Sequence, residues 1–229
     1  MWFQFRLQRQ IAKARRALHK APNPSVSDYL DALPKVDDQP LSLSNILALD
    51  LELTGLDPKR HQIVSVGHVA VDNLAISLGS AQQHLIQVDG SVGDSAVIHH
   101  LTDADLASAR PLCDAMDDLL QALCGRMLLC HHAPLDTAFL QQAFIACFGT
   151  RLPLLVIDTQ QIEKRRQERT APNVPLHRLR LHHCRQHYEL PLSSGHQALG
   201  DAIACAELLM AQQAHQTSVS RLNDVVQLA

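Results

Sequence analysis

The chain lacks any run approaching the roughly 20 apolar residues that a membrane-spanning helix needs. Its opening residues, Met-Trp-Phe-Gln-Phe-Arg, also lack the apolar stretch of about 7 to 15 residues that marks a secretory signal. A soluble, cytoplasmic protein is therefore expected. No Cys-x-x-Cys pair occurs: Cys113, Cys124, Cys130, Cys147, Cys184 and Cys205 are scattered and sit mostly within apolar runs. That pattern predicts buried thiols in a reducing compartment rather than a disulfide framework. Internal repeats and low-complexity segments are missing as well, so a solenoid or repeat array is not expected.

What is present suffices for one core. The 229 residues, 46% of them hydrophobic, fit a single catalytic domain with an appendage. The net charge of −3 conceals an uneven distribution. Residues 1 to 20 carry six basic side chains and no acid, and residues 164 to 185 carry seven against Glu168 alone, which leaves the remainder strongly acidic. An acidic body with basic patches suits a protein that gathers cations and also contacts phosphates, although charge runs are commonly just solvated faces.

Residues 1 to 44 read as a basic amphipathic helix and a linker. Phe3, Leu7, Ile11, Ala14 and Leu18 recur at helical spacing, and four prolines follow between Ala21 and Asn45, with a short helix near Ser27 to Leu33. The main domain is expected over 45–216, with a short C-terminal tail at 217–229. Strands are predicted at Ile46 to Leu53, at Ile63 to Val71 and between Ala75 and Val88. A helix from Thr102 to about Leu123 follows, then a strand at Met127 to Cys130, a helix at Leu135 to Phe148, a strand at Leu154 to Ile157, and helices to the end. That order predicts an α/β fold with a mixed five-stranded sheet flanked by helices, because the later strands need crossover connections.

The first strand carries the chemistry. Period-two alternation places Leu47, Leu49, Leu51 and Leu53 on one face and Ile46, Ala48, Asp50 and Glu52 on the other. Two carboxylates side by side at the end of an apolar strand repel one another unless a cation or a proton intervenes. A common Asp-x-Glu at a solvated strand end would read the same way. Asp136 shares a helical face with Leu140, Ala143 and Cys147, and Asp201 shares one with Ala198, Cys205 and Leu208; an acid near a helix start also has the ordinary explanation of favourable charge at an N-terminus. His196 follows the loop Pro191-Leu-Ser-Ser-Gly195, and an imidazole there can take a proton near neutral pH.

Three segments occur in order: Asp50-Leu-Glu52-Leu-Thr54-Gly55-Leu56-Asp57-Pro58, His131-His-Ala-Pro-Leu-Asp136-Thr-Ala-Phe139-Leu140 and His196-Gln-Ala-Leu-Gly-Asp201-Ala. Together they resemble the three exonuclease motifs of the DEDD family in its histidine-bearing branch. That branch includes the oligoribonucleases and the proofreading exonuclease subunits of bacterial replicases such as DNA polymerase III. The resemblance covers roughly Asn45 to Ala214, with echoes in Ile98-His-His-Leu-Thr-Asp103 and Ile157-Asp-Thr159. Departures fall at Leu51 and Leu53, where a small polar residue is usual, at His132, where Asn is frequent, and at His100, which replaces a common Gly.

The resemblance implies a ribonuclease H-like sheet and a 3′-to-5′ exonuclease acting on single-stranded DNA or RNA 3′ ends. Asp50, Glu52, Asp136 and Asp201 would hold two divalent ions, Mg²⁺ or Mn²⁺, with His196 as general base. Leu53, Thr54, Leu56, His132 and Phe139 would meet the terminal nucleotide. The few residues after Gln216 favour a free-standing enzyme over a replicase subunit. Two rivals compete with this reading. One is a zinc site built on His183 and His187, with Cys184, His182 and Asp158 as helpers. The other is a non-catalytic nucleic-acid-binding or protein-binding module, with the N-terminal helix meeting a partner.

Overall fold

A computed structural model describes residues 2–88, 109–169, 173–193, 197–216 and 220–229. The expected helix start at Thr102, the Ile98 to Asp103 echo and His196 lie outside these residues. Two helices open the chain, α1 (Trp2–Leu18) and α2 (Pro24–Asp31), followed by strands β1 (Asn45–Leu53), β2 (Ile63–Asp72) and β3 (Ala75–Leu85). Next come α3 (Leu112–Leu123), β4 (Met127–Cys130), α4 (Ala133–Phe148), β5 (Leu155–Asp158) and α5 (Thr159–Glu168). After these lie α6 (Leu181–His187), α7 (Ala198–Ala214), the single turn α8 (Leu222–Val225) and β6 (Val226–Leu228).

The strands form one mixed sheet in the order β3-β2-β1-β4-β5-β6. β1 is antiparallel to β2 and parallel to β4, β5 continues the parallel set, and β6 closes that side antiparallel. The sheet therefore has six strands and not five: the expected C-terminal tail supplies the sixth. Its three paired residues are too few to show a period in the sequence. The alternation of β1 is realised, with Leu47, Leu49, Leu51 and Leu53 in the core cluster shared with α2, α3 and α4. Ile46 and Ala48 face the opposite cluster, built with α1 and α7.

The expected linker is folded. Asn23 caps α2 by accepting from Val26 N at 2.9 Å, and Tyr29 donates its hydroxyl to the Pro153 carbonyl at 2.6 Å. Residues 39–41 pair with residues 220–222 through Leu41 N to Ser220 O and Leu222 N to Gln39 O. The expectation of buried thiols holds for Cys130, Cys184 and Cys205 and is corrected at one pair. Cys113 on α3 and Cys147 on α4 form a disulfide, because two packed helices bring their Cα atoms to 5.2 Å, a proximity that sequence spacing does not reveal.

Asp158, at the end of β5, ties two helices to the sheet. One carboxylate oxygen accepts from the backbone N–H of His132 at 3.1 Å and Gln160 at 2.9 Å, and the other accepts from Ala133 N at 3.1 Å. It thus caps both α4 and α5 while 2% exposed. Asp158→Ala is expected to lower unfolding stability by about 2 to 4 kcal/mol, as two caps are lost and buried donors are stranded. Urea titration checks this. A loss no larger than an ordinary surface change would mean that the caps are replaceable.

Candidate active site

β4 pairs with β1 only over Ile46, Leu47 and Ala48, so the second half of β1 extends beyond its parallel neighbour. Asp50 and Glu52 lie in that extension. The chain leaving β4 passes through His132, held left-handed at φ 73°, and enters α4 with Asp136 in its first turn. A crevice at the carboxyl ends of parallel strands is where α/β sheets gather functional groups.

Asp201 arrives from the other side, on the first turn of α7. Gly67, paired with Asp50 across β1 and β2, makes that approach possible. A Cβ at Gly67 would fall 2.1 Å from Leu199 N and 2.2 Å from the Ala198 carbonyl carbon, so the helix backbone rests directly on the glycine. The sequence reading missed Gly67, although a lone glycine inside an apolar strand signals close approach of another backbone.

One oxygen from each of Asp50, Glu52 and Asp201 lies within 4.8 Å of the others. Among the described residues this is the group of three or more potential ligands close enough to share a metal ion. Asp136 belongs to the same electrostatic unit. Burial, then the charges of Asp136, Glu52 and Asp201, push the Asp50 carboxyl well above the usual range. Burial likewise raises Asp136, partly offset by its own backbone N–H, with Asp158 and Glu52 adding repulsion. Glu52 is pushed up to about 7 by burial and by Asp201.

Three clustered carboxyl groups, with Asp136 adding repulsion at Asp50, fit a divalent cation well, and their oxygens are the hard donors that Mg²⁺ or Mn²⁺ prefers. Burial raises the nearby thiols of Cys130 and Cys205, which favours their neutral form in the metal-free protein.

A pH dependence follows. The folded, metal-free protein keeps a proton on Glu52 up to about pH 7, whereas an unfolded glutamate releases it near 4.5. The stability from this group is fully present below pH 4.5 and is lost as pH rises through about 7. Mg²⁺ should therefore raise the melting temperature at pH 8 and have little effect at pH 5. Equal stabilisation at both pH values would rule out these carboxylates as its ligands.

The remaining expected residues divide. Thr54 braces the β1–β2 turn: its hydroxyl accepts from Gln62 N at 2.9 Å, and its N–H donates to the Gln62 carbonyl at 2.9 Å. Leu56 projects from that turn and is 75% exposed, while Leu53 is buried just after an irregularity in the β1–β2 pairing. The His132 ring lies 2.8 Å from Gln160 Oε1. Phe139 is 2% exposed, sits in the core cluster and lines a cavity of about 240 Å³ with His61, Ile63 and Leu112. Pro191, at the start of the loop leading to His196, is anchored by the buried Arg185, which donates to its carbonyl at 2.8 Å.

Two of the three zinc helpers have other roles. Asp158 is the double cap. Cys184 packs with Tyr188 and Leu208, and burial pushes its thiol up to about 12.

This sheet order, with acids converging over the end of β1, is the framework of the ribonuclease H-like nucleases. Residues 47–209 match the exonuclease (RNase_T) family, and the chain belongs to that family. The DNA polymerase III subunit epsilon of Treponema pallidum (strain Nichols) is 28% identical over 169 residues, covering 73% of this chain and 76% of the relative. That of Rickettsia conorii (strain ATCC VR-613 / Malish 7) is 30% identical over 116 residues, half of each chain.

Solved structures share the fold at lower identity. Exonuclease I superposes with a TM-score of 0.63 and 14% identity, over 76% of this chain but only 41% of the larger protein. Exonuclease X, solved with 5′ overhanging duplex DNA, gives a TM-score of 0.57 at 19% identity, over 78% of this chain and 98% of that one. Among the described residues, no helix is long and apolar enough to cross a membrane.

Proposed function

We propose that the protein is a metal-dependent 3′-to-5′ exonuclease that works free-standing and releases nucleoside monophosphates from DNA or RNA 3′ ends. The observation that carries this reading is the convergence of Asp50, Glu52 and Asp201, electrostatically coupled to Asp136, in a member of the exonuclease family. The four carboxylates would hold two divalent cations, Mg²⁺ or Mn²⁺, which when bound activate water and stabilise the leaving oxygen during in-line displacement. Asp50, on the central strand, faces the other three acids and is positioned to be shared.

His196 is assigned as the general base by its place in the third motif. An imidazole with an ordinary pKa accepts a proton at neutral pH. Thr54 and the braced turn present Leu56 to the terminal nucleotide, where an exposed apolar side chain can pack on a base or sugar. Leu53 and His132 line the approach, and Phe139 supports it from below.

The test uses 3′-labelled and 5′-labelled single-stranded DNA and RNA with the purified chain alone, in Mg²⁺, Mn²⁺ or EDTA, alongside a His196→Ala variant. Metal-dependent shortening from the 3′ end, lost in the variant, supports the reading in full and ranks DNA against RNA. Shortening from the 5′ end overturns the polarity. A folded protein that binds strands but cleaves none would be a binding module on an exonuclease fold.

A further inference from the structure

The apolar side of α1 is spent on the fold: Leu7 and Ala14 are buried, and Phe3, Ile11 and Leu18 pack against the two core clusters. The opposite side carries Arg6, Arg9, Lys13 and Arg16 at steps of three, four and three residues, all exposed. At about 1.5 Å rise per residue these cations form a straight stripe about 15 Å long. Among the described residues none of the four enters an ion pair, whereas Arg15 on the flank is neutralised by Asp31 at 2.5 Å. The stripe ends at two exposed aromatics, Trp2 at 71% and Phe5 at 66%, with the Arg6 guanidinium 4.8 Å from the Trp2 ring centre.

We propose that this face of α1 is a second nucleic-acid-binding surface that holds the backbone of a strand away from the carboxylates. The choice of nucleic acid as the polyanion rests on the exonuclease reading. Along a stacked strand phosphates recur about every 3.4 Å, so the stripe opposes about four of them. Trp2 and Phe5 supply flat faces for unpaired bases. A membrane surface fits less well, because an interfacial helix needs a free apolar face and that of α1 is occupied.

The surface is separate from the active site. Leu7 shares a cluster with Ile46, Met127 and Leu155, at the starts of the parallel strands, whereas Asp50 lies four residues further along β1, about 13 Å. A strand engaged at both places is held along its length while its end is trimmed.

Trp2 is the only tryptophan in the chain, so its emission reports this face directly. The full chain is titrated in EDTA, where no turnover is read, with a thymidine oligonucleotide of about 20 nucleotides. Trp2 quenching is expected, reversed by high salt. In the variant R6Q/R9Q/K13Q/R16Q the affinity should fall at least about 10-fold near 0.1 M salt, and the slope of log affinity against log salt should drop by about 3. Glutamine is a good helix former, and circular dichroism confirms that the variant is folded. Should it melt early, the salt-reversible quenching in the unaltered chain decides.

Unchanged affinity and slope with unresponsive Trp2 would overturn the proposal. So would Trp2 responding to phosphatidylserine vesicles and not to the oligonucleotide. Binding through α1 in a chain that never cleaves would leave this surface standing and remove only the catalytic reading.

Discussion

Asp50→Asn is expected to reduce nucleic-acid hydrolysis by about 10³-fold or more and, in the same variant, to raise the melting temperature of the metal-free protein at pH 8. The two effects have one cause. Asp50 sits among Asp136, Glu52 and Asp201, and burial adds to their repulsion. On the proposed two-metal mechanism, losing a shared ligand would remove several kcal/mol of stabilisation of the transition state, and about 4 kcal/mol corresponds to 10³-fold in rate. Without metal the same substitution relieves a charge that the fold tolerates poorly. Calorimetry in EDTA beside the labelled-strand assay reads both. A variant that loses activity and stability together would point instead to general damage.

Gly67→Ala should be nearly as severe, although glycine touches neither metal nor substrate. The added methyl would meet helix backbone at 2.1 Å and 2.2 Å, and backbone at a helix start cannot rotate away as a side chain can. Ordinary contact requires α7 to retreat by about 1 Å or more, taking Asp201 with it. A displacement of that size costs on the order of 10²-fold in a positioned site, and the forced overpacking costs about 1 to 3 kcal/mol in stability. The signature is weakened Mg²⁺ affinity, measured by titration, in a protein that still folds. Gly67→Ala with unchanged metal affinity would show that α7 has slack the contact distances do not suggest.

The strand that carries Asp50 and Glu52 was readable because alternation is a two-residue rule, and four leucines at every second position from Leu47 to Leu53 set Asp50 and Glu52 on the opposite face. Asp136 and Asp201 stood out as acids on apolar helical faces, and only the order of the three motifs joined them to β1. Other features depend on contacts that no local pattern encodes. Gly67 matters because of Leu199, the pairing of Cys113 with Cys147 depends on how α3 lies against α4, and β6 is three residues that pair only because β5 leaves an open edge. Phe139 belongs with these: its motif suggested contact with the terminal nucleotide, and only the packing around α4 shows that it is 2% exposed.

The pairing of residues 39–41 with residues 220–222 has a kinetic side. Arg221 donates to the Asp38 carbonyl across 183 residues, and Tyr29 reaches Pro153 across 124. Contacts that close such long loops form late in folding, because the entropy of closure must be met before they give anything back. Tyr29 of α2 waits for Pro153, and Leu7 of α1 shares its cluster with residues as distant in sequence as Leu222 and Val226. These two helices thus dock fully only after chain well downstream of them is made, and until then their apolar sides stand open to chaperones.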